Sequence, residues 1–77
     1  MADEPTTAHI QAELDRVEEE LDGLRQTVSD LRAGLNDAGA TDPEDRSLVI
    51  SQAEEQEAII TELEQRRDHL RQQLAAS

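Results

Sequence analysis

The sequence contains no cysteine, no phenylalanine, tyrosine or tryptophan, and no lysine. Without cysteine there is no disulfide, no thiolate zinc site and no thiol catalysis. Without aromatic rings the chain lacks the side chains that usually anchor cores, stack on bases and dominate binding hot spots. Its apolar set is Leu, Ile, Val and Ala with a single Met, which suits packing of helix against helix. Long apolar runs are absent too, so neither a signal peptide nor a membrane-spanning helix is expected. A cytoplasmic location is then the default expectation, with no cysteine to report on redox compartment. The initiating Met1 favours a complete chain.

Positive charge is scarce. The seven basic residues are all Arg, against 19 acidic ones, for a net charge of −12. That balance repels phosphate backbones and anionic lipid, so neither direct nucleic-acid binding nor membrane binding is expected. Such acidity serves mimicry of nucleic acid or attraction to a basic cleft, or it is the solvated face of a coiled coil in a high-salt or high-GC background. The solvated face is the reading favoured. Seventy-seven residues make at most one small domain, and chains this short need near-ideal packing or a partner subunit to hold a core.

What is present is a heptad pattern. Ile10, Leu14, Val17, Leu21, Leu24, Val28, Leu31, Leu35 and Ala38 follow one another at alternating steps of four and three. This is the seam of a coiled coil, with Leu14, Leu21, Val28 and Leu35 at a and the rest at d. Thr6 or Thr7 suits the N-cap. Gly23 and Gly34 weaken this helix by roughly 1 kcal/mol each relative to Ala, but both lie off the seam. The pattern breaks around Gly39, a fitting residue to close a helix. Asp42 as N-cap with Pro43 behind it starts a second helix, whose first turn holds Glu44 and Asp45 where the dipole favours negative charge.

The second segment repeats the steps with Val49, Ala53, Gln56, Ile60, Leu63, Arg67, Leu70 and Leu74. If the chain folds back, facing residues must have position numbers of constant sum. Leu35 with Val49, Leu31 with Ala53, Val28 with Gln56 and Leu24 with Ile60 meet that condition. So do Leu21 with Leu63, Val17 with Arg67, Leu14 with Leu70 and Ile10 with Leu74, each pairing an a with a d residue. The predicted fold is therefore all-α: an antiparallel two-helix hairpin, or coiled coil. Residues 1–6 form a disordered tail, 7–38 helix 1, 39–42 the loop and 43–75 helix 2. A continuous parallel coil would bury Gly39 and Pro43 in a helix, at a cost of roughly 4 kcal/mol. Among flanking charges, the register places Arg25 near Glu57 and Glu20 near Arg66. Glu18 lies near Glu64, with Arg67 close enough to neutralise them.

Gln56 and Arg67 are polar residues at core positions. They are expected to set register or oligomeric state, with Arg67 reaching Glu18, Glu20 or Glu64. His9 and His69 both fall at outward c positions and do not face each other, so no metal site is expected of them. The loop acids Asp37, Asp42, Glu44 and Asp45 could chelate a divalent ion weakly, but helix capping accounts for Asp42 and Asp45 without one. No constellation for nucleophilic catalysis and no phosphate loop is present, which points away from an enzyme and from any cofactor.

Three apolar residues are surplus to the seam: Leu48 at c, Ile50 at e and Ile59 at g. Left wet, each forgoes about 1.5 kcal/mol of burial. A second copy is the simplest cover, giving a dimeric four-helix bundle. The expected role is a non-catalytic module for protein–protein interaction or assembly, one that self-associates and docks a protein partner through its acidic faces or tip.

The tip also carries a resemblance. Asp42-Pro43-Glu44-Asp45-Arg46-Ser47 resembles the Asp-x-x-Asp-x-Ala tip of DksA-type regulators of bacterial RNA polymerase, which, like the Gre factors, insert an antiparallel coiled coil into the enzyme's secondary channel. The resemblance implies a transcription regulator in which Asp42 and Asp45 act near the catalytic magnesium. Ser47 stands where that pattern has Ala, and the globular parts of both families are lacking. A third class of function is an acidic nucleic-acid mimic that binds a basic protein.

Overall fold

A computed structural model describes residues 6–37 and 42–76. It consists of two helices, α1 (Thr7–Asp37) and α2 (Pro43–Ala76), packed against each other as an antiparallel hairpin with extents of 60 × 19 × 16 Å. The helices begin where side chains can satisfy the orphan N–H groups of a first turn. Thr6 Oγ1 accepts the N–H of His9 at 3.1 Å, and the Thr6 carbonyl accepts that of Ile10 at 2.9 Å, so Thr6 and not Thr7 is the N-cap. At α2 the Asp42 carboxylate accepts the N–H of Glu44 at 3.4 Å, and its carbonyl accepts that of Arg46 at 2.9 Å. Pro43 fills the first helical position, where its missing N–H costs nothing. The predicted bounds differ little from these. α2 runs one residue further than expected, to Ala76. Ala38, the expected end of helix 1, lies outside the described residues, as do Gly39 and residues 1–5 of the expected tail.

All sixteen residues of the predicted seam layers are buried or half-buried. Ile10, Leu14, Val17, Leu21 and Val28 of α1 and Ala53 and Leu70 of α2 are buried. Among the described residues outside the seam, Glu13, Glu18 and Glu64 alone are half-buried, and each of them is engaged by an arginine of the other helix. The apolar core is concentrated away from the loop: Ile10, Leu14, Val17, Leu21 and Leu70 form one cluster, joined by Ile60, Leu63 and Leu74. Toward the loop the layers thin, because α2 supplies Val49, Ala53 and Gln56 there, whereas in the other half it supplies Leu63, Leu70 and Leu74 with Arg67 as the one polar layer. Fully burying a Leu or Ile contributes about 1.5–3 kcal/mol, so the half distal to the loop holds most of the hydrophobic stabilisation.

Candidate interaction surface

The seam leaves two long sides to the hairpin, one along the e positions and one along the g positions, and they are built differently. On the e side, Arg25 Nη2 meets Glu64 Oε2 at 2.7 Å, Arg32 Nη2 meets Glu57 Oε1 at 2.5 Å, and Arg71 Nη2 lies 3.8 Å from Glu18 Oε1. On the g side a single inter-helix ion pair, Arg66 with Glu13, lies among the described residues. Further toward the loop, the antiparallel register sets Glu20 across from Ile59, Thr27 from Gln52, and Gly34 from Asp45.

Geometry explains the asymmetry. Each Cα–Cβ bond leans toward the N-terminus of its own helix. In this antiparallel register the facing e residues lean toward each other and the facing g residues lean apart. This corrects the flank pairing read from the sequence. Arg25 takes Glu64 in place of Glu57, Glu57 goes to Arg32, Arg66 takes Glu13 in place of Glu20, and Glu18 has Arg71. These pairs are exposed enough that each contributes only ~0–1 kcal/mol. Their interest is that they occupy one side and leave the other open.

Leu48, Ile50 and Ile59 are the exposed large aliphatic residues, 58%, 36% and 43% accessible. The structure does not gather all three. Ile50 belongs to the e side. Leu48 and Ile59 share the g side, in a row with Gln52 and Glu55 that repeats at steps of four and three. On α1 the same side carries Gly23 and Gly34, and a Cβ built on either would meet nothing within 4 Å. Sequence reasoning counted the surplus aliphatics but not this second row. The signal was present in the spacing of Leu48, Gln52, Glu55 and Ile59.

The two polar core residues behave differently from each other. Gln56 is half-buried in the Val28 layer. Arg67 is half-buried opposite Val17, its side chain 20% exposed, and its guanidinium turns out to Asp68 at 3.0 Å. None of the expected partners Glu18, Glu20 and Glu64 receives it; Glu64 pairs with Arg25 and Glu18 with Arg71. Arg67 thus satisfies its charge on its own helix.

At the loop end, Asp42, Glu44 and Asp45 are exposed in the opening of α2, and Asp37 is the last residue of α1. Arg46 bridges the two helices there, Nη1 donating to the Leu35 carbonyl at 3.4 Å, the kind of cationic cap that suits a helix C-terminus. That contact was not foreseen from the sequence. His9 and His69 are exposed, and among the described residues no three His, Asp or Glu side chains converge as a metal site. No helix among the described residues is long and apolar enough to cross a membrane. No family model matches the chain, and no curated protein and no solved structure matches it either.

Proposed function

We propose that the chain is a non-catalytic protein–protein interaction module, an acidic helical hairpin that associates with a second copy of itself and presents its remaining surface to a protein partner. The observation that carries this reading is the set Leu48, Ile50 and Ile59, exposed on α2 although all eight seam layers of the hairpin are already filled. Scattered single aliphatics are ordinary on a surface, but three within a dozen residues of so polar a chain favour a covering surface. A rod of two helices offers long flat sides for such a contact, and association of hairpins into four-helix bundles buries sides of this kind. Light scattering across a range of protein concentrations tests the reading. A dimer mass at micromolar concentration is the expected result, and a monomer mass at every concentration would remove it.

The polymerase-channel reading has less to support it. Asp42, the first of the two carboxylates it needs, caps the N-terminus of α2 through the N–H of Glu44. Replacing Asp42 and Asp45 with Asn separates the two readings, since a scaffold should keep its association while a tip-acting regulator should lose its effect on the polymerase.

A further inference from the structure

We propose that the second copy docks on the g side of the hairpin, antiparallel, about a two-fold axis beside Ile59 and Gly23. This rests on the self-association proposed above and adds to it a face and an orientation. The e side is closed by three ion pairs between α1 and α2, with Ile50 behind them. The g side is open from Glu20 to the loop, with side chains that lean apart. Its two exposed aliphatics, Leu48 and Ile59, stand in one heptad-spaced row. The glycines beside that row let a neighbouring helix approach the α1 backbone closely, with open space at both.

Charge decides the occupant and its direction. From Ile59 toward the loop this side carries Asp30, Glu55 and Asp45. In the opposite direction it carries Arg16 and Arg66, the latter paired with Glu13 of its own hairpin, with His9 beyond them. Arg16 makes no ion pair among the described residues. A two-fold axis beside Ile59 sets Asp30 level with the partner's Arg16 and Glu55 level with the partner's Arg66, and each contact occurs twice. A parallel arrangement, with its two-fold axis along the rod, would set Asp30 near the partner's Glu55 and Arg16 near the partner's Arg66, and like charges so placed oppose association. Glu20 and Glu62 flank the axis, so the apolar centre is narrow and the charges at its ends select the orientation. A side 60 Å long and 16 Å deep presents on the order of 800 Å² per copy, about what a stable dimer uses.

The test is sedimentation equilibrium on the full chain and its variants, with circular dichroism confirming that each remains helical. Ile59→Glu is expected to weaken dimerisation about tenfold or more, and Ile50→Glu, on the other side, by less than about threefold. Asp30→Arg lowers the net negative charge and by general repulsion alone should strengthen the dimer. On this geometry it weakens it several-fold, as does Arg16→Asp, and the two changes combined restore wild-type affinity, since reversed charges then face each other again. A dimer lost with Ile50→Glu and kept with Ile59→Glu puts the contact on the e side and overturns the proposal. Single charge reversals that fail to rescue each other overturn the orientation. In both cases the dimer persists in the wild-type chain, whereas a wild-type monomer at every concentration removes self-association itself.

Discussion

Arg67 shows how far a single residue can be read from sequence and where such reading stops. Its heptad position places it in the core layer with Val17, and it is indeed half-buried there. Its partner was not legible, because an arginine stem is long enough to carry the charge out of the seam in several directions. Arg67 pairs with Asp68, while Glu64 pairs with Arg25 and Glu18 with Arg71. An ion pair to a carboxylate as exposed as that of Asp68 contributes little, while holding the long Arg67 side chain half-buried along the seam costs rotamer freedom. Arg67→Leu should therefore raise the free energy of unfolding by about 1 kcal/mol in urea titrations, from the apolar area added to the Val17 layer. A loss of similar size would show that the arginine stem already packs better than a leucine can. If Arg67→Leu also produced species larger than a dimer, the residue would be limiting partner number, the role polar core residues play in coiled coils.

At the scale of elements, the helices were legible because two independent signals agreed. The four-three spacing marks each apolar stripe, and the constant sum of facing positions admits only one antiparallel register across all eight layers. The caps were equally plain, since Thr6 and Asp42-Pro43 are residue types that satisfy a first turn. The flanks were not. Their pairing depends on the lean of side chains along each helix, and that displaces partners by several positions from the level of the seam. The Arg46 contact to the Leu35 carbonyl escaped for a related reason: it depends on how the end of α1 and the start of α2 meet in space, not on spacing within either helix. Asp42 gives the sharpest test at this scale. Asp42→Ala should cost about 1 kcal/mol by removing the acceptor for the Glu44 N–H, and Asp42→Asn, another good N-cap, should cost much less. Thermal unfolding of the two variants side by side distinguishes loss of the cap from loss of a charge, because Asn and Ala remove the same charge. Equal destabilisation by both would mean that the carboxylate acts through the helix dipole and not through the hydrogen bond.

For the whole molecule, two effects pull the stability gradient in opposite directions. The loop ties α1 to α2 at one end, so helices that part there still pay for keeping the connection, whereas the open end frays with no such constraint. Against this, the apolar cluster of Ile10, Leu14, Val17, Leu21 and Leu70 with its satellites lies in the half away from the loop. The layers near the loop include Ala53 and Gln56, and the acids Asp42, Glu44 and Asp45 crowd the same end. Loop closure changes by only about 0.6 kcal/mol for each doubling of loop length, whereas replacing one buried Leu or Ile by a smaller or polar residue forgoes about 1.5–3 kcal/mol. The packing term wins. Amide hydrogen exchange should accordingly be slowest around Leu14–Leu21 and Leu63–Leu70, and faster by about tenfold or more around Leu31–Leu35 and Val49–Ala53, a difference of roughly 1.4 kcal/mol in local opening. Slowest exchange next to the loop would mean that the connection outweighs the core. The same measurement at rising protein concentration links this gradient to assembly. Docking of a second copy on the g side sets the well-packed half of one hairpin against the weaker half of the other, so protection near the loop should rise with concentration and the gradient should flatten.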